Sequence, residues 1–408
     1  MRLLCSLRGP VLYTAVAAAP GPDKLIARAR DLVPALARRA RECEERRAVP
    51  PETIADFRDA GFLRLLRPSR FGGHQVGLTT LADIVGEVAR GCGSSAWCLA
   101  LFATHNRLAA LFPDGAQHEV FADTDGTAVA AVYAPTGIAT PDGEASGFRL
   151  TGRWRFASGC DHARWVALAA RVAHEREGPI ADVRCFLVPA AEVRIDDTWF
   201  VAGLKGTGSK DVVAEDVRVP PHRVVTFVDI ARGATPGAAL DPSPLYRLPV
   251  LPLLSLVCGG VALGLARAAI ESFRARESAG ARSTTVTSST GAMPLAEALA
   301  SVDAAELLLR RALDDLDRRG AAEARLSAAQ RARHLLDGAF VVTACTRAVG
   351  ALLTAGGADA LFDARGLARA FRDLQAMSAH AALQFPAAAE RFGRMELGLP
   401  ADSRLLLI

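Results

Sequence analysis

The sequence predicts an α+β protein in three successive parts: an N-terminal helical domain, a middle antiparallel β domain and a C-terminal four-helix bundle. Three observations predict it. Runs rich in Ala, Leu, Arg and Glu fill the chain up to Phe112. Between Thr127 and Val225 the texture changes to short β-rich runs punctuated by glycine and proline, with no helical run among them. After Pro242 four long amphipathic periods follow one another, as in a bundle. The boundaries fall at 1–22 (a disordered leader), 23–122 (helical domain), 123–240 (β domain) and 241–400 (bundle).

In chain order, Met1–Arg8 and the apolar stretch Val11–Ala19 faintly resemble a signal peptide, but Arg8 interrupts the apolar region and the rest is too short to span a bilayer. Folding is expected to begin near Asp23. A helix over Lys24–Glu45 breaks at Pro50-Pro51, and a second, Pro51–Ala60, stops at Gly61. Thr79 or Thr80 is placed to cap a helix over Leu81–Arg90. Gly91-Cys-Gly-Ser-Ser95 then opens an apolar helix through Trp97, Leu101 and His105 to Leu111, closed by Pro113 and Gly115.

The expected strands are Thr127–Tyr133, Phe148–Phe156, Trp165–Val172, Val183–Val188 and Val212–Val219. In Phe148–Phe156 the odd positions read Phe, Leu, Gly, Trp, Phe and the even ones Arg, Thr, Arg, Arg, the two-residue period of a half-buried strand. The pattern stops at Ala157-Ser158-Gly159, which presents a hydroxyl at the strand end. Beyond it, Leu253–Ser278 carries Gly259, Gly260 and Gly264 for close helix contact, and a Ser/Thr-rich loop, Arg282–Gly291, precedes Pro294. Leu295, Leu299, Val302, Leu309, Leu313 and Leu316 mark the next helix, ended by Gly320. Ser327 and Gln330 form a capping box for a third, up to Gly356-Gly357, and a fourth spans Leu367–Ala389.

Composition narrows the function classes. Of 408 residues half are hydrophobic, enough for a large core, and 48 basic against 44 acidic residues leave a net charge of +4, too mild and scattered for a nucleic-acid footprint. Eight cysteines with no C-x-x-C pair and no His–Cys cluster read as reduced cytoplasmic thiols, with no disulfide framework and no metal site. No membrane segment is expected. Gly203-Leu-Lys-Gly-Thr-Gly-Ser-Lys210 has the glycine spacing of a phosphate loop, but Ser209-Lys210 is in the wrong order and a strand follows where the cradle needs a helix. Thr207 and Ser209 can still offer hydroxyls to a ligand's polar edge. The sequence lacks a G-x-S-x-G elbow, an H-E-x-x-H and a dinucleotide fingerprint, so hydrolase, zincin and nicotinamide-binding readings have no support. Arg369, Asp373 and His380 fall on one stripe of the expected fourth helix, and His105 borders an apolar face on an earlier one; each histidine is a candidate general base near neutral pH.

Taken together, Gly-x-Trp-x-Phe-Ala-Ser-Gly in the β region, Gly-Leu-Lys-Gly-Thr-Gly-Ser-Lys-Asp after it and Arg-x-x-Arg-Asp near the end resemble the acyl-CoA dehydrogenase fold. More narrowly the chain is similar to the flavin-dependent monooxygenases built on that fold, the oxygenase components of two-component systems such as 4-hydroxyphenylacetate 3-hydroxylase. The most specific pieces are Ala89-Arg-Gly-Cys-Gly-Ser-Ser-Ala-Trp97, Trp154-Arg-Phe-Ala-Ser-Gly159 and Arg369-Ala-Phe-Arg-Asp373 with His380 beyond. The resemblance implies hydroxylation of an aromatic or phenolic small molecule with O2 and diffusible reduced FMN or FAD, through a C4a-hydroperoxide. A separate NAD(P)H–flavin reductase would supply the flavin, and the assembly would be a homotetramer.

Residue by residue, the resemblance implies that Ser158 bonds flavin N5 and that Trp154 and Phe156 pack the ring. It also has Thr207 and Ser209 line the cofactor, Arg282 reach the flavin phosphates, and His105 and His380 line the pocket, His380 taking the phenolic proton. The chain departs from the dehydrogenases after Arg372-Asp373, where their Tyr-Glu-Gly-Thr is replaced by Leu-Gln-Ala-Met. The alternatives are an acyl-CoA dehydrogenase-type FAD oxidoreductase with its base on another helix, and a non-catalytic binding protein of the same fold.

Overall fold

Proline at the first turn costs a helix nothing, because the amide it removes has no partner there. Both leading helices use this: α1 (Pro22–Arg46), ended by Arg47 at a φ of 53°, and α2 (Pro51–Asp59). The computed structural model describes residues 20–122, 126–143, 147–173, 182–283, 291–321, 326–362 and 366–400. The expected leader lies outside them up to residue 19. Helix α3 (Leu78–Gly91) starts three residues earlier than expected and without a threonine cap. Its cap comes instead from a distant helix, where the Asp317 carboxylate accepts from the Leu78 amide at 3.2 Å. Helices α4 (Gly93–Ala109) and α5 (Asp114–Phe121) follow.

The β region forms one sheet of β1 (Val129–Pro141), β2 (Phe148–Ala157), β3 (Trp165–Val172), β4 (Val183–Pro189), β5 (Arg194–Asp196), β6 (Lys210–Val219) and β7 (Val224–Thr226), in the order β5-β6-β2-β1-β3-β4-β7. The expected all-antiparallel pairing is corrected at one place: β1 and β3 are parallel, Val129 opposite Trp165. The reason is topological. After β2 has run back along one edge of β1, the next strand returns on the other edge and so points the same way as β1.

The sheet has two apolar faces. One, with Val129, Ala131, Ala167, Ala169 and Leu187, joins the main core of the helices. The other, with Leu150, Trp154, Leu168, Phe186 and Val212, forms a second core of its own. Strand β2 keeps its two-residue alternation as far as Trp154 and then breaks it. Phe156 takes a φ of 71°, the register with β6 slips between Trp154 and Ala157, and the Phe156 ring turns out to solvent. This bulge re-aims the chain, so that Ser158 points toward α4, on the far side of the sheet from Trp154.

Helices α6 (Phe227–Arg232) and α7 (Pro236–Leu240) lead into the bundle of α8 (Val250–Ser283), α9 (Ala292–Ala321), α10 (Ala328–Ala355), α11 (Leu367–Ser378) and α12 (Phe385–Glu396). The capping box of Ser327 and Gln330 is present. Glycine is required where α8 crosses α3: a Cβ on Gly264 would stand 2.0 Å from the Gly86 carbonyl oxygen. Helix α8 is apolar and long enough to cross a membrane, yet 89% of its most apolar window is buried inside the protein, which makes it the bundle's core helix. The expected fourth helix, Leu367–Ala389, is corrected to two. The chain leaves the helix after Ser378 and restarts at Phe385-Pro386, so His380 sits in the intervening turn and not on a helical stripe.

Candidate active site

Helix α4 is the wall on which the site is built. All 17 of its residues are buried, including Thr104, His105, Asn106 and Arg107. Such a helix is tolerated because its polar groups are pinned. The Asn106 amide donates to the Leu63 and Thr127 carbonyls at 2.8 Å each, and the Arg107 guanidinium donates to those of Leu245 and Leu248.

Trp97, near the start of α4, donates its indole N–H to Ser158 Oγ at 3.2 Å. From there a row of hydroxyls runs inward: Ser158 Oγ to Ser209 Oγ at 2.7 Å, Ser209 Oγ to Thr207 Oγ1 at 2.7 Å, and Thr207 Oγ1 to the Leu204 carbonyl at 2.9 Å. The structure thus brings together three predicted residues, Ser158, Thr207 and Ser209, from two segments about fifty positions apart. The loop carrying Thr207 and Ser209 is fastened at many points. Asp373 accepts from the Leu204 amide at 2.6 Å, Ser94 Oγ from the Gly206 amide at 3.2 Å, and the thiols of Cys43, Cys98 and Cys160 donate to the carbonyls of Gly206, Thr207 and Gly208. Burial raises the Asp373 carboxyl to about 7.

Two histidines belong to the same region, one reached through Trp97 and one further along α4. The His380 ring meets the Trp97 ring edge-on at 5.5 Å between centroids, and His105, two turns beyond Trp97, meets Tyr133 at 5.8 Å. They are near enough that a charge on His380 disfavours one on His105. Burial depresses both to about 4. The expectation of a base poised near neutral pH is therefore corrected: both rings are neutral at pH 7, because a dry environment penalises the imidazolium.

Their neighbours also fix the tautomers. His105 Nδ1 stands 3.2 Å from the Val129 carbonyl and must carry the proton there, which leaves Nε2 as an acceptor. His380 Nδ1 receives the Ala382 amide at 3.2 Å, so its proton is on Nε2, a donor. The Tyr133 hydroxyl beside His105 is buried with no partner among the described residues.

The other expected residues are not joined to the hydroxyl row among the described contacts. Trp154 does not reach the site. It fills the second core, its indole N–H donates to the Ala169 carbonyl at 2.6 Å, and its ring lies against Gly137 and Gly152. Phe156 is 57% exposed and packs edge-on against Trp199. Arg282 lies in the last turn of α8 and not in a loop, with its side chain outside the described residues. Trp97, named in the sequence only within its helix and motif, is the residue to which sequence reasoning gave no role in the site. The available signal was its indole N–H, a donor that a buried helix cannot satisfy internally.

Residues 23–116 match the acyl-CoA dehydrogenase N-terminal domain and residues 256–385 the acyl-CoA dehydrogenase C-terminal domain. The chain is 36% identical to a pigment production hydroxylase of a Rhodococcus species, over 94% of this chain and 98% of that one. It is 35% identical to the oxygenase component of an FADH2-dependent resorcinol hydroxylase of a Rhizobium species, over 88% and 90% of the two chains. Among solved structures, 3-HSA hydroxylase from a Rhodococcus species superposes with a TM-score of 0.89 at 31% identity, covering 95% of this chain and all of that one.

Proposed function

Because this chain belongs to the flavin-dependent monooxygenases built on the acyl-CoA dehydrogenase fold, as an oxygenase component, we propose that it hydroxylates a phenolic ring with O2 and reduced FMN or FAD delivered by a separate NAD(P)H–flavin reductase. The observation that carries the phenolic reading is the complementary tautomers of two neutral histidines. A phenol O–H has one proton to give and lone pairs to share. His105 Nε2 accepts the proton, and His380 Nε2–H donates to the oxygen.

The residues present fit a flavin. The Ser158 hydroxyl is held by Trp97 and Ser209 yet keeps a lone pair for an N–H at the ring's edge, with His380 on the other side of Trp97. When bound there, the reduced flavin would supply the two electrons that activate O2, one of whose atoms is transferred. The chain's own residues do the rest. Ser158 positions the ring, Trp97 ties Ser158 to His380, and the buried face of α4 keeps water out. His105 takes up the phenolic proton as the ring becomes electron-rich. The burial that keeps it neutral in the free protein is offset once a phenolate stands beside it. The sulfurs fit a reducing, cytoplasmic compartment: the seven described cysteines are all free thiols.

The test is direct. The purified chain mixed with NADH and oxygen should consume no NADH. Adding a general flavin reductase, flavin and a panel of phenols should yield a hydroxylated product. NADH-driven turnover by the isolated chain, or bleaching of its flavin by an acyl-CoA, would overturn the reading.

A homotetramer is part of the same proposal. Helix α9 exposes Met293, Leu299 and Leu307, the last at 71%, and α10 exposes Phe340. Large apolar side chains along bundle helices are what a subunit interface covers. Leu307→Glu should therefore lower the mass seen by light scattering from the tetramer to smaller species. A wild-type chain that is monomeric and fully active would exclude the assembly.

A further inference from the structure

We propose that the Leu204 carbonyl, acting through Thr207 and Ser209, fixes the direction of the hydroxyl row so that Ser158 can only accept, and that this selects reduced over oxidised flavin. The inference rests on the flavin reading above. A hydroxyl has one proton to give and two lone pairs to offer, so a row of hydroxyls normally reverses by rotating every O–H together. Here it cannot.

Thr207 Oγ1 lies 2.9 Å from a carbonyl oxygen. Two oxygens that close repel unless a proton lies between them, and a carbonyl has none, so the Thr207 proton is spent there. The Leu204 carbonyl also receives the Thr207 amide at 3.1 Å and the Trp199 indole N–H at 3.0 Å, which makes it an acceptor in every contact. Ser209 must then give its proton to Thr207, and Ser158 must give its own to Ser209, each across 2.7 Å. Trp97, whose indole can only donate, occupies one Ser158 lone pair. Ser158 is left with no proton and one lone pair. Thr207, Ser209 and Ser158 are only 1%, 4% and 5% exposed, so bulk water does not relax the arrangement.

The consequence is a choice of redox state. Reduced flavin carries hydrogen on N5 and meets the open lone pair as a donor. Oxidised flavin presents a lone pair at N5, and lone pair then faces lone pair in a dry site. Thr207 and Ser209 are thus specificity-determining residues that touch no reacting atom and act through Ser158.

The experiment compares anaerobic binding of reduced FMN with aerobic binding of oxidised FMN, by titration, in the wild type, Ser209→Ala and Thr207→Val. The wild type should bind the reduced form more tightly. Removing either relay hydroxyl lets Ser158 rotate its proton toward N5, so oxidised FMN should bind better and the ratio of the two dissociation constants should fall roughly tenfold. If Ser209→Ala does not fold, Thr207→Val, a near-isosteric change, carries the test. A ratio unchanged in a variant that still binds both forms overturns the relay and leaves the monooxygenase reading intact. A wild-type chain that binds neither redox form of FMN, nor of FAD in the same titration, removes the flavin reading and the relay with it.

Discussion

Replacing His105 with alanine should slow hydroxylation by about a hundredfold or more, the usual scale for losing a positioned general base, while reduced flavin still binds. His380→Ala should cost less and act differently. With Nδ1 taken by the Ala382 amide, the ring it removes carries its proton on Nε2 and in the proposed role would donate to the phenolic oxygen, not accept its proton. Steady-state kinetics against a phenol and its methyl ether separate the two. The ether has no proton to give, so the His105 penalty should vanish with it, whereas a structural role for His105 would penalise both substrates alike. Equal losses for both variants on both substrates would show that the tautomers do not assign the roles.

The second large effect is on stability. His105 is held near 4, below the ordinary histidine value of 6.5, mainly by burial. Between those values the unfolded chain binds a proton that the folded one refuses. The contribution is complete above pH 6.5, fades as the pH falls toward 4 and changes no further below it. At its limit this is about 3 kcal/mol. Asp373 works in the opposite sense, since its raised value near 7 means that acidification favours the folded state. The comparison must therefore be made between proteins. His105→Asn retains a donor for the Val129 carbonyl and has nothing to titrate. Urea unfolding at pH 7 and pH 4 should show the wild type losing about 3 kcal/mol more than this variant. Parallel curves would mean that His105 is not held neutral by its surroundings.

Much of this molecule was legible in its sequence because the signals involved are local. Proline at Pro51, glycine at Gly61 and the Ser327–Gln330 box act within one turn of where they stand, and the helices begin and end there. Ser158, Thr207 and Ser209 were legible as hydroxyls in glycine-rich breaks, although their juxtaposition was not. What could not be read depends on partners far along the chain. The cap of α3 is a carboxylate more than two hundred positions away, and the parallel pairing of β1 with β3 is decided by which edge is vacant. Periodicity showed that Trp154 points inward but not into which of two cores, and the bulge at Phe156 separates it from Ser158. The turn holding His380 had a local signal that the apolar period masked: Pro386 lacks the amide a continuous helix needs and fits only a helix's first turn, so a new helix has to start beside it.

The thiols under the relay loop bear on how long such a catalyst lasts. Hydrogen peroxide released at the proposed flavin site would form beside the loop that carries Thr207 and Ser209, and peroxide attacks thiolates far faster than thiols. Cys98 and Cys160 are pushed up by burial, Cys160 to about 12, and Cys43 is pushed up by its neighbour Cys92 and by burial. All three are almost fully covered and stay protonated, each sulfur within reach of a loop carbonyl, whereas Cys92, which shares a hydrogen bond with Cys43, is lowered to about 6. The groups that hold the loop in place are therefore kept in the form that its by-product attacks least. The same burial that shapes the site protects it from wear.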